Sequence, residues 1–127
     1  MQSKKQGKRI GRWVYMLLIG AFVLSIAVQF FLAGLAVFVS AEHWANHVMF
    51  VHLFGLYLPL LLFLFAWIGG LPGWVHLHVL GMLALVFAMY FTANMPVAWV
   101  GAMHPIIAVL LALLAVRNSV PVSRWLN

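Results

Sequence analysis

The 127-residue sequence contains no cysteine and only one acidic residue, Glu42. Without cysteine the chain can form no disulfide, thiolate metal site, iron–sulfur cluster or thioether-linked c-type haem. A single carboxylate also excludes catalysis by paired carboxylates and a carboxylate cage for magnesium or calcium. Most hydrolytic chemistry is therefore excluded, and we do not expect the isolated chain to be an enzyme.

Charged residues of any kind are scarce. They make up 6% of the chain, and hydrophobic residues make up 67%, whereas about a quarter of the residues in a soluble domain are charged. So little polar surface cannot shield the apolar side chains from water, which indicates that the lipid bilayer is the solvent of this protein.

Four long apolar runs can be marked in the sequence. They cover residues 13–39, 48–68, 74–93 and 97–116. Each is long enough to cross a bilayer as a helix, because about 20 residues span the hydrocarbon core. None alternates with the period of two that a membrane strand requires. Since the connections are short, neighbouring helices must be antiparallel. The predicted fold is an all-α, transmembrane four-helix up-down bundle.

The basic residues lie only near the two ends of the chain. They are Lys4, Lys5, Lys8, Arg9, Arg12, Arg117 and Arg124, and they give a net charge of +6. Cytoplasmic flanks of membrane helices collect Lys and Arg, so this distribution indicates topology and not nucleic-acid binding. We predict a multi-pass protein of the cell membrane with cytoplasmic basic tails at 1–12 and 117–127 and a transmembrane domain at 13–116. The tryptophans, including Trp125, lie at or near helix ends, as in an aromatic belt.

The sequence contains six histidines, and its candidate ligand sites are built from them. They are His43, His47, His52, His76, His78 and His104. Counting along the predicted helices places His52 about 6 Å and His104 about 10 Å deep in the same leaflet. His76 and His78 lie in the opposite leaflet, about 15–20 Å away in depth, and cannot share a ligand with them.

An imidazole in hydrocarbon needs a hydrogen-bond partner, a metal or a polar cavity. We therefore predict that His52 and His104 face one another across the bundle as the two axial ligands of one haem b iron. Glycine or alanine stands three or four residues from each, at Gly55, Gly101 and Ala108, and leaves room for a flat ligand. Such a protein would serve as an electron carrier, a haem sensor or a haem-handling subunit.

Two other interpretations remain open. His43 and His47 are possible additional ligands, and with His52 and His104 they would form an outward-facing copper or zinc site. Alternatively the chain is a cofactor-free accessory or structural subunit in which the histidines pack within the membrane. Its partners would then be the lipid bilayer together with a redox or transport membrane protein or further copies of the chain. Gln29 is interpreted as forming an amide hydrogen bond between helices.

Three short motifs carry a resemblance to a known group. Gln29 with Ala33-Gly34, His52 with Gly55, and His104-Pro105 together resemble a group of small, functionally uncharacterised four-helix bacterial membrane proteins. The resemblance implies the four-helix fold and no established activity. The architecture is also similar to that of membrane b-type cytochromes, in which histidines on facing helices bind haem.

Overall fold

The computed structural model describes residues 2–124 of the chain, so Trp125 and its predicted place in an aromatic belt lie outside the described residues. Within this part the chain is all-α and contains no strand. Its helices are α1 (Gln2–Phe38), α2 (His43–Phe54), α3 (Tyr57–Ile68), α4 (Gly73–Asn94), α5 (Ala98–Ala102) and α6 (His104–Ser123).

These helices form four antiparallel rods, because α2 continues into α3 and α5 into α6. The first rod, α1, packs against α2, α3 and α6, and α4 packs against α3 and α6. The predicted four-helix bundle is thereby confirmed. Four segments are long and apolar enough to cross a membrane: Gln2–Phe38, His43–Ile68, Gly73–Asn94 and Ala98–Val120. The apolar helices indicate a multi-pass membrane protein.

The core follows one face of α1. Tyr15, Ile19, Phe22 and Ile26 are buried there, at the three- and four-residue spacing that places side chains on one side of a helix. They belong to one cluster with buried residues of the other rods, which include Leu62, Ala66, Val75, Val79, Met82, Leu111 and Ala115. Many large apolar side chains outside this cluster are exposed, which suits contact with lipid tails.

Two of the four rods are interrupted near a proline, where the sequence predicts an irregular helix. Pro59 has no amide hydrogen to donate to the carbonyl of Gly55, and α2 ends just before that glycine. Pro105 likewise leaves the carbonyl of Gly101 without its helical donor, and α6 begins only at His104. The second rod also begins at His43, five residues before the predicted start at residue 48.

The basic segment before Trp13 is helical and forms the first part of α1. Its helix packs closely against the turn after α3, since a Cβ atom on Gly11 would lie 2.6 Å from the backbone nitrogen of Gly69. The Nε–H of Arg12 donates a hydrogen bond of 3.0 Å to the carbonyl of Gly69. The next residue, Gly70, has a φ of +60°, which glycine adopts without strain. The turn therefore holds the basic segment in a fixed orientation.

A buried polar pair joins α1 to α6. Asn118 is fully buried, and its side-chain amide donates to the hydroxyl of Tyr15. We expect Tyr15→Phe to lower the free energy of unfolding by about 1–3 kcal/mol, because it leaves the amide hydrogen without an acceptor. Tyr15→Phe combined with Asn118→Leu should recover most of that loss, since both polar groups are then absent.

Thermal unfolding of the purified protein in one detergent measures both variants against the unmodified chain. A single Tyr15→Phe variant that unfolds at the original temperature would show that the pair contributes nothing to stability.

Candidate ligand cavity

A cavity of about 400 Å³ lies between α1, α2, α4 and α6. Its size falls within the range of about 300–1,000 Å³ that small-molecule sites occupy. Most of its lining is apolar, and three histidines line it together with Gln29, Trp44, Tyr90 and Asn94. The histidines are His47, His52 and His104. The cavity therefore combines an apolar body with a small number of polar groups, as ligand sites do.

Gln29 and His47 hold α1 against α2. The side-chain amide of Gln29 donates a hydrogen bond of 3.1 Å to the carbonyl of His47. In return Nδ1–H of His47 donates to the carbonyl of Gln29 at 3.2 Å. The side-chain amide of Gln29 thus forms a hydrogen bond between helices, as the sequence predicted. Its Oε1 atom is buried and has no hydrogen-bond partner among the described residues.

His104 enters the cavity from the start of α6. Its Nδ1–H donates to the carbonyl of Met89 on α4 at 3.1 Å, and the hydroxyl oxygen of Thr92 lies 3.4 Å from the same nitrogen. The hydroxyl of Thr92 donates to the carbonyl of Met89 as well. His104 on α6 and Thr92 on α4 therefore donate to the same carbonyl, which fixes the plane of the His104 ring.

The imidazole beside His104 belongs to His47. The two ring centroids lie 6.4 Å apart, and the ring planes are inclined at 56°. The sequence had paired His104 with His52, which lines the same cavity but is exposed and packs edge-on against Tyr90 at 5.4 Å. His47 and His52 cannot both lie beside His104, because His52 follows His47 by five residues and so projects about 140° further around α2. Depth alone did not carry this angular information.

Hydrogen bonding selects the same neutral tautomer for all three cavity histidines. Nδ1 of His47 and His104 faces a carbonyl oxygen of another helix, and Nδ1 of His52 lies 2.6 Å from the carbonyl of Val48. A carbonyl only accepts, so each Nδ1 carries a hydrogen, and in the neutral ring Nε2 is the nitrogen with the free lone pair. A backbone carbonyl on Nδ1–H is also the usual way in which metal-binding histidines are oriented.

His43 differs from the cavity histidines. The side-chain amide nitrogen of Asn46 lies 3.2 Å from Nδ1 of His43. Because an amide nitrogen only donates, Nδ1 of His43 is the acceptor. His43 does not line the cavity. Within residues 2–124 no three histidine or acidic side chains come together in an arrangement that could hold a metal ion. The predicted copper or zinc site of His43, His47, His52 and His104 is therefore not assembled.

The remaining histidines lie at the other end of the bundle, as the sequence predicted. Nδ1–H of His76 donates to the carbonyl of Pro72 at 3.3 Å, and its ring packs edge-on against Phe63. The ring of His78 packs against Trp74 at 5.1 Å, and its Nδ1 is buried without a hydrogen-bond partner among the described residues. Neither residue lines the cavity.

Fold and cavity together define a small four-helix membrane protein with a histidine-lined apolar cavity. The chain belongs to a family of unknown function, DUF6220, whose family model matches residues 29–95, more than half of its length. The predicted resemblance to an uncharacterised family is thereby confirmed. The matched part contains Gln29, His47 and His52, and it ends before His104. No curated protein and no solved structure gave a significant match to the chain.

Proposed function

We propose that this protein binds one haem b in the cavity, with His47 and His104 as the axial ligands of the iron. The observation that carries the proposal is the distance of 6.4 Å between the two ring centroids. Imidazoles that bind one iron from opposite sides place their centroids about 6 Å apart, because two metal–nitrogen bonds of about 2 Å each and the distance from each nitrogen to its ring centre add up to that separation. The two helices thus hold their imidazoles at the separation that one iron requires.

The surroundings of the pair support the same ligand. Each ring donates Nδ1–H to a carbonyl, which leaves Nε2 as the nitrogen that binds metal. The cavity wall is mainly apolar and includes Ala33, Ala93 and Ala108, whose short side chains leave room beside the rings. His52 is the alternative partner of His104, because it lines the same cavity and its Nδ1 is also bonded to a carbonyl.

A single haem in one half of the membrane has a restricted role. The histidines at the opposite end, His76 and His78, are on the same helix and pack against aromatic rings. They do not form a second pair on facing helices, so electrons could not cross the bilayer through two haems of this chain. The proposed site therefore suits electron exchange or haem handling at one membrane face.

The absorption spectrum tests the proposal directly. The protein, purified in mild detergent from haem-replete cells, should be coloured and contain one iron per chain. Two imidazole ligands should give a low-spin spectrum whose bands sharpen on reduction, because the axial ligands set the electronic state of the iron. A folded protein that is colourless and free of iron, also after incubation with haem, would overturn the proposal.

A second candidate ligand is an apolar molecule that carries a hydroxyl group. The observation that favours it is that polar side chains, among them Gln29 and the three histidines, stand at the wall of an otherwise mainly apolar cavity. With the free Nε2 atoms of the histidines, the cavity then offers several acceptors to a hydroxyl hydrogen. Mass spectrometry of an organic extract from the iron-free protein would identify such a molecule.

We also propose that both termini face the cytoplasm, on the basis of the basic residues at the two ends. Because the chain has no cysteine, single-cysteine variants report topology without background. In intact cells a membrane-impermeant thiol reagent should label Glu42→Cys, which lies between α1 and α2, but not Ser3→Cys. Ala84→Cys in the middle of α4 should stay unlabelled after lysis, whereas Ser3→Cys should then react. Labelling of Ser3→Cys in intact cells would contradict this orientation.

A further inference from the structure

We infer that the first three turns of α1 form a binding face for the head groups of anionic phospholipids. This basic face consists of Lys4, Lys5, Lys8, Arg9 and Arg12. At about 100° per residue these five side chains project within an arc of about 140° around the helix. The other side of the same turns carries Ser3, Gln6, Gly7 and Ile10. The five cations are therefore gathered on one side and not scattered around the helix.

The packing of α1 fixes where this face points. Arg12 donates a hydrogen bond to the carbonyl of Gly69. The side chain of Lys8 lies over Gly70, since its Cε atom would be 3.4 Å from a Cβ atom built on that glycine. Gly11 touches the same turn. The segment is thus fixed against the end of the bundle, and its cations Lys4, Lys5, Lys8 and Arg9 are exposed.

The level of the face relative to the membrane favours lipid as its partner. Trp13 directly follows Arg12, and Trp67 and Trp74 flank the turn that α1 touches. Exposed tryptophans mark the interface between lipid tails and head groups, and Trp13 and Trp67 are exposed. The cations therefore begin at the depth of the phosphate groups and extend outward from it.

No acidic side chain of the chain can neutralise these cations. The only carboxylate side chain is that of Glu42, which lies beyond the opposite end of α1, about 40–50 Å away along the helix. That distance is several Debye lengths at physiological salt. Negative charge from lipid head groups complements the basic face, and a membrane surface supplies it at high local concentration.

The test moves charge without changing composition. The exchange variant combines Ser3→Lys with Lys5→Ser and Gln6→Arg with Arg9→Gln, so net charge, residue content and the basic character of the N-terminal segment are unchanged. Only the basic face is broken. Both proteins are placed in nanodiscs of equimolar phosphatidylglycerol and phosphatidylcholine, extracted gently, and examined by native mass spectrometry for retained lipid.

The unmodified protein should retain phosphatidylglycerol in preference to phosphatidylcholine, and the exchange variant should show a preference about tenfold weaker, because each basic residue near an anionic surface adds several-fold to binding. High salt should weaken the preference of the unmodified protein. Equal retention by the two proteins would overturn the inference and leave net charge as the cause. Retention of a co-purified acidic protein in place of lipid would also overturn it. Neither result depends on the ligand in the cavity.

Discussion

His104→Ala is expected to abolish the low-spin haem spectrum of the purified protein. His104 is the only histidine that α6 contributes to the cavity, and no other imidazole within residues 2–124 lines the cavity from that side. Without it one axial position of the iron has no nitrogen ligand, so bound haem should become high-spin or be lost. Optical spectra and iron content at equal protein concentration measure the change.

His47→Ala and His52→Ala decide which residue of α2 is the second ligand. The distance of 6.4 Å to His104 favours His47, so its removal should have the same effect as that of His104. His52→Ala should retain the low-spin spectrum with at most a small band shift. The reverse outcome would show that haem pairs His52 with His104, as counting of depth had suggested, and that α2 rotates on binding.

Matched control variants separate ligand loss from damage to the fold. His43→Ala and His76→Ala also remove an imidazole from a helix, but neither residue lines the cavity. Both should retain the iron content and spectrum of the unmodified protein. If all histidine variants lose colour to a similar extent, or if His104→Ala keeps the low-spin spectrum, the proposed ligand pair is wrong.

Gly11→Leu should have the largest effect on stability. A Cβ atom at this position would lie 2.6 Å from the backbone nitrogen of Gly69 and 2.9 Å from its Cα, and backbone cannot swing aside as a side chain can. The first rod would have to move away from the end of α3. We expect the free energy of unfolding to fall by about 3 kcal/mol or more, at the upper end of what overpacking costs.

Gly20→Leu is the matched control for this prediction. Gly20 lies on the same helix, and nothing comes within 4 Å of a Cβ atom built there. The substitution and its hydropathy are identical, so any difference between the variants reports the contact with Gly69. Unfolding in a graded denaturing detergent compares the two. Equal stability of the Gly11→Leu and Gly20→Leu proteins would show that the close approach is not required.

The general fold could be predicted from the sequence because lipid imposes few solutions. An apolar run such as residues 74–93 has to be a helix, since every backbone amide must be bonded within the segment. The ends of the helices were harder to predict. Residues 2–12 are polar and lie beyond the apolar run, but they continue α1 because the turn at Gly69 packs against them.

The histidines that line the cavity could be predicted in part. Counting along the helices placed His52 and His104 at a similar depth, and both line one cavity. The ring nearer to His104 is that of His47, which was predicted only as a possible additional ligand because its position depends on the rotation of α2 about its axis. That rotation is set by the reciprocal bonds between Gln29 and His47, a contact between residues on different helices. Periodicity within one segment cannot specify such a contact.

The position of the cavity wall has a consequence for how affinity must be measured. Phe30 and Val48 line the cavity and are also exposed on the apolar flank of the bundle. An occupant that enters past these side chains partitions from the hydrocarbon phase, where its concentration is a mole fraction relative to lipid. Its apparent dissociation constant should rise in proportion to added lipid at fixed ligand, even though no contact in the site has changed.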